Sequence, residues 1–114
     1  MEWNKPSEEL GELLQKVVTG PEIEKKKMFG CPCYFINGNM AFGVYSTFLF
    51  FRLDEITRKD LFLGKGRPFE PQAGRIMKEY VQFSQHGLPT EEQLQEILNI
   101  SISYTKSLPV KIKK

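Results

Sequence analysis

Apolar residues recur at helical spacing near the start of this chain, alternate with polar ones through its middle, and return to helical spacing at its end. Leu10, Leu13, Leu14, Val17 and Val18 form one stripe, which predicts a first helix facing a core. Ser7 is placed to cap it, and Glu8 and Glu9 suit the positive end of the helix dipole. Gly20-Pro21 supplies the stop, because proline cannot continue the helix. From Glu24 to Leu53 the pattern favours strands, expected over Lys25 to Phe29, Cys33 to Ile36, Met40 to Tyr45 and Phe48 to Leu53. Asn37-Gly38 lies between the second and third of these, and both residues tolerate the positive φ of a tight hairpin. Ser46-Thr47 predicts the next turn. Phe48 to Phe51 is apolar on both faces, as in a central strand, or one with helices on one side and another surface on the other.

Asp54 predicts the cap of a short helix, with Ile56, Leu61 and Phe62 turned inward and an end near Gly64-Lys65-Gly66. Pro68 to Pro71 is expected to be extended, and the chain through Gly74-Arg75 to be a loop. Lys78 to Phe83 alternates polar with apolar residues and predicts a strand packed on one face. Ser84 to Pro89 is a loop. Thr90 followed three residues later by Gln93 is a capping box. It starts a last helix whose inward stripe is Leu94, Ile97, Leu98, Ser101, Tyr104, Thr105 and Leu108, ended by Pro109. The order α-β-β-β-β-α-β-β-α, with hairpin-connected strands, points to an α+β domain with an antiparallel sheet. One domain is expected over residues 1–114, with a core over about 7–109 and a basic tail over 110–114.

Composition narrows the function classes. The chain has 114 residues and a net charge of +2, enough for one domain with its own core. No apolar run approaches the ~20 residues of a membrane helix, and the acidic, polar start lacks a signal-peptide core, so a cytoplasmic location is expected. Four lysines (Lys106, Lys111, Lys113 and Lys114) lie in the last nine residues, and the body before them is net acidic. That weakens a nucleic-acid reading, which needs clustered cations. Cys31 and Cys33 flank one proline. A disulfide across one residue would be strained, and the spacing is neither that of a redox site nor that of a zinc knuckle. With one histidine, His86, in a polar loop, no metal set and no nucleophile–base pair emerges. Neither a catalytic residue nor a cofactor is expected.

Residues Arg52 to Lys78 hold seven basic against four acidic residues. Arg52, Lys65, Arg67, Arg75 and Lys78, with Tyr80, are therefore the candidate surface for a ligand or partner. Ordinary solvated charge, and a buried tyrosine with a backbone partner, are the plainer accounts of the same residues. Gly64-Lys65-Gly66-Arg67 has an anion-loop composition but lacks the Walker spacing, and reads as a flexible surface turn.

Two signatures about forty residues apart carry a resemblance. The first is Lys27-Met28-Phe29-Gly30, Tyr34-Phe35, Gly38-Asn39-Met40 and Gly43-Val44; the second is Phe69, Pro71, Gly74, Met77 and Glu79-Tyr80-Val81, with Tyr104 to Pro109 closing the chain. In order and spacing they resemble the N-terminal domain of the TfoX (Sxy) competence regulators over roughly residues 8–109. Met28, Phe29, Gly30, Gly38, Asn39, Pro71, Gly74 and Met77 read as fold-defining positions within it. The resemblance implies a small α+β domain, a role in regulating competence or transcription, and no catalytic residues to carry over. Family regulators carry a second, helical C-terminal domain, and this chain is expected to hold the first alone. A non-enzymatic regulatory or protein-interaction module is the leading expectation. A nucleic-acid-associated factor using Arg52 to Lys78 and a small-ligand domain with a pocket between sheet and helices are the alternatives. A monomer or weak homodimer, paired through the Phe48–Phe51 strand or a free sheet edge, is expected.

Overall fold

The computed structural model describes residues 8–18, 20, 23–28, 30–72 and 74–110, without the side chains of Met28 and Gln72. The elements run α1 (Glu8–Val17), β1 (Ile23–Met28), β2 (Cys31–Ile36), β3 (Asn39–Tyr45), β4 (Phe48–Arg52), α2 (Glu55–Phe62), β5 (Arg67–Gln72), β6 (Arg75–Ser84) and α3 (Glu91–Ser107). This is the expected α+β order. The strands form one antiparallel sheet, β1-β2-β3-β4-β6-β5. The expected Ser7 cap, the Pro21 stop, Phe29 and the tail over 111–114 lie outside the described residues.

Turn chemistry sets the first three hairpins. Asn37 (φ 52°) and Gly38 (φ 81°) turn β2 into β3, and Gly30 (φ 79°) turns β1 into β2. Ser46, at φ 55°, turns β3 into β4. A fourth hairpin replaces the loop expected around Gly74-Arg75. Gly74 has φ 82°, Gln72 pairs with Arg75, and β6 runs ten residues from there. The Glu70 carboxylate accepts from the Gly74 N–H at 2.6 Å, and closes this turn in a way that a proline-rich stretch does not advertise.

β4 sits between β3 and β6, as its two apolar faces require. Leu49, Phe51, Phe42, Val44, Val81 and Phe83 face the helices and meet Leu10 and Leu14 of α1 and Leu94, Ile97 and Leu98 of α3. At the β3 bulge Ala41 drops out of the β2 pairing, and its carbonyl accepts instead from the buried Ser101 hydroxyl of α3 at 3.2 Å. Thus a helix side chain satisfies a backbone group left over by the sheet.

The opposite face has a second, strand-only core of Cys33, Phe50, Phe69 and Tyr80, with Phe35, Met40, Tyr45 and Met77 half-buried around it. The Phe50 and Phe69 rings stack at 4.5 Å, and Tyr45 meets Phe69 edge-on at 5.8 Å. The Tyr45 hydroxyl donates to the Pro71 carbonyl at 3.1 Å, although β4 and β6 lie between β3 and β5. β5 therefore arches back over this face and closes it without a helix.

One expectation is corrected near α2. Ile56 and Phe62 do not face inward. Ile56 is 81 % exposed and Phe62 lies at the surface, while Leu61 packs against the core. The surface turn expected at Gly64 to Arg67 is present, with Gly64, Lys65 and Arg67 exposed, but it is anchored at one residue. Gly66 is buried, its N–H donates to the Leu61 carbonyl at 3.0 Å, and a Cβ there would lie 2.8 Å from Val81 Cγ1.

Candidate functional site

The surface residues singled out by charge fall into three places. Arg52 and Tyr80 are cross-strand partners on β4 and β6. The Arg52 guanidinium donates to Glu79 at 2.7 Å and lies 5.5 Å from the Tyr80 ring centre. The Tyr80 hydroxyl donates to the Met40 carbonyl at 2.7 Å, and Arg52 reaches the same carbonyl at 3.5 Å. Lys65 and Arg67 bind main-chain carbonyls, Lys65 that of Leu88 at 3.1 Å and Arg67 those of Gly64 and Gly66 at 2.9 and 2.7 Å. Arg75 and Lys78 are exposed toward the far end of the β5–β6 hairpin. Arg67 and Arg75 stand at opposite ends of that hairpin, so the five cations form no single patch.

Several signature positions act as ties. The Asn39 amide donates to the Pro109 carbonyl at 2.9 Å and holds the end of α3 against the β2–β3 hairpin. The carbonyls of Met40 and Pro71 receive the two tyrosine hydroxyls described above. Burial, partly offset by the Arg52 charge, pushes the Tyr80 hydroxyl up to about 12. The folded protein therefore holds a proton that the unfolded chain releases from about pH 10. The stability contributed is present below pH 10 and disappears as pH rises toward 12, about 3 kcal/mol across that window. Tyr80→Phe is expected to cost about 1 kcal/mol at neutral pH and to remove this alkaline component. Urea unfolding of both proteins from pH 8 to 11.5 checks it; parallel stability curves would refute it.

A different surface is built around α2. Asp54 caps the helix, accepting from the Thr57 N–H at 3.1 Å and the Thr57 hydroxyl at 2.6 Å. The hydroxyl bond in particular holds the Asp54 carboxyl below its ordinary value. Lys59 pairs with Glu55 at 3.4 Å, and the Arg58 guanidinium donates to the Leu53 carbonyl at 2.5 Å. Local polar bonds thus secure a helix with no fully buried residue. Its apolar side chains are free to point elsewhere. Ile56 and Leu63 lie two turns apart on one face, 81 % and 88 % exposed. Leu61 lies on another face.

Beside this ridge a groove of about 350 Å³ runs between α2 and α3. Leu61, Phe83, Ile97 and Ile100 give it an apolar floor. Thr57, Asp60 and Lys65 line one side and Gln93 and Glu96 the other. Sequence reading missed Ile56, Leu63, Asp60, Glu96 and Ile100 as surface features. The available signal was that apolar residues at 56, 61, 62 and 63 span more of a helix circumference than one buried stripe can cover. Among the described residues, no group of three His, Cys, Asp or Glu side chains is placed to hold a metal, and no helix is long and apolar enough to cross a membrane.

The family model for the TfoX N-terminal domain matches residues 12–104. No curated protein and no solved structure matches the chain significantly. The family match runs from within α1 to nearly the end of α3 and takes in the signature glycines and the Asn39, Met40, Pro71 and Tyr80 ties. This chain belongs to the TfoX N-terminal domain family.

Proposed function

We propose that this domain is a non-enzymatic protein-interaction module of a cytoplasmic regulatory system. Competence or transcription control is the setting that its family suggests. The observation that carries the reading is the outward apolar face of α2. Two large aliphatic side chains, Ile56 and Leu63, stand in solvent on a helix already secured by its caps. Two large aliphatic side chains exposed on one helix face support a contact-face reading.

The test is affinity capture of the full chain from its native cells, followed by size-exclusion chromatography with light scattering. Ile56→Asp/Leu63→Asp is the matched variant. The wild type is expected to elute with a stoichiometric protein partner. The variant is expected to lose that partner while keeping its circular dichroism and its melting temperature within about 3 °C, as exposed sites do. A wild type that elutes alone refutes the reading.

A further inference from the structure

The groove between α2 and α3 restricts what can lie in it. Its walls are mostly helical, with Gly64, Lys65, Phe83 and Pro89 completing the lining, and main-chain groups inside a helix are bonded within their own turns. An extended partner strand would find few main-chain partners there, whereas a partner helix arrives with its own backbone satisfied. The floor of Leu61, Ile97 and Ile100 accepts apolar side chains. At about 350 Å³ the space is at the small end of ligand clefts, which run from roughly 300 to 1,000 Å³. It suits one or two inserted side chains rather than a whole domain.

Charge then selects the occupant. Asp60 on α2 and Glu96 on α3 bring a carboxylate to each wall. Among the described residues neither has an ion-pair partner. Lys65, the cation of the lining, donates to the Leu88 carbonyl. That carbonyl does not neutralise Lys65, and with Asp60 and Glu96 against Lys65 the lining keeps a net charge of −1, which disfavours nucleic acid and anionic lipid and attracts lysine and arginine.

We infer that the α2–α3 groove binds a basic amphipathic helix of a partner protein. One or two apolar side chains of that helix rest on Leu61, Ile97 and Ile100, and its lysines or arginines lie against Asp60 and Glu96. The inference rests on the interaction reading above and names the chemistry of the partner. The ridge of Ile56 and Leu63 flanks the groove beyond Asp60 and would extend the contact.

A display library of 18-residue helical peptides, selected on the immobilised full chain, tests it. Enriched peptides are expected to carry Lys or Arg beside apolar residues spaced three, four and seven apart. Their affinity is expected to fall at least tenfold on Ile100→Asp, and at least tenfold on Asp60→Lys/Glu96→Lys. The charge-reversed variant is expected to regain binding to peptides in which Lys and Arg are replaced by Glu. All these positions are exposed, and circular dichroism of each variant confirms that folding is intact. Enrichment of acidic peptides, or of peptides indifferent to both variants, overturns the assignment. If the enriched peptides respond only to Ile56→Asp/Leu63→Asp, the groove is wrong while the interaction reading stands. If no peptide is enriched, the groove assignment falls, and the capture experiment decides the interaction reading separately.

Discussion

Phe50→Ala is expected to destabilise the domain by about 3–5 kcal/mol, the usual cost of emptying a well-packed aromatic site. Phe50 is 2 % exposed, stacked on Phe69 and edge-on to Tyr80 at 5.9 Å. Among the described residues the core on this face is built from strand side chains alone, so little is available to collapse into the space. At roughly 4 °C or more per kcal/mol for a domain of this size, the melting temperature should fall by at least about 12 °C. The loss should also be uneven. β5 is an edge strand held over the second core by Phe69 and by the Tyr45–Pro71 hydrogen bond. Amide exchange in β5 should therefore accelerate more than in β2 and β3, which keep the helix-side core. A loss below about 1 kcal/mol, or uniform loss of protection, would show that Phe50 does not anchor the arch.

Gly43→Ala is expected to cost about 1–3 kcal/mol, the range for overpacking a filled site. This runs against the ordinary sign, since alanine gains roughly 0.5–1 kcal/mol over glycine inside a regular element. Sterics reverse it. A Cβ at position 43 would lie 2.7 Å from the Pro32 carbonyl oxygen, 2.9 Å from Phe50 Cζ and 3.0 Å from Cys33 Cα. Two of the three are backbone atoms of the neighbouring strand, so a side-chain adjustment alone cannot relieve them. Gly11→Ala is the control. It lies in α1 with nothing within 4 Å of its Cβ position, and should raise stability. Denaturant midpoints for both variants check the pair, and a Gly43→Ala protein at least as stable as wild type would sink the argument. Combining Gly43→Ala with Phe50→Leu should recover only part of the loss, because the Pro32 and Cys33 contacts remain.

The two effects share a cause. Gly43 and Phe50 are cross-strand partners on β3 and β4. The missing side chain at 43 is the space into which the ring at 50 extends. The sequence reading included Gly43 within a signature but had no reason to set it against Phe50.

Local grammar made much of the fold legible. The α1 stripe, the Asn37-Gly38 hairpin and the Thr90–Gln93 capping box each rest on steps of no more than four positions along the chain, and the latter two turn up with the expected φ angles and hydrogen bonds. The α+β order followed because hairpin spacing and helical periodicity alternate cleanly. The errors were also local in origin. Ile56 and Phe62 were read inward because they are apolar, but which face of an eight-residue helix is buried depends on how Leu61 meets the sheet. The extended segment over Pro68 to Pro71 is β5, but the tight turn at Gly74 reads as a loop and β6 as starting at Lys78, because nothing local announces the pairing of Gln72 with Arg75.

The site was less legible than the fold. Charge counting gathered Arg52, Lys65, Arg67, Arg75 and Lys78 along the chain, whereas the fold distributes them between an ion pair, a turn and a distant hairpin. The groove joins residues from α2 and α3 more than thirty positions apart. Sequence alone determined the order of the elements, the Asn37-Gly38 and Ser46-Thr47 turns, the Asp54 and Thr90 caps and the family, because each is carried by short-range backbone preference or by motif spacing. Tertiary structure alone decided the arch of β5, the close approach at Gly43, the outward face of α2 and the opposed carboxylates of Asp60 and Glu96. These depend on which distant surfaces meet, and residues far apart in the chain acquire a common environment only when the sheet and helices pack.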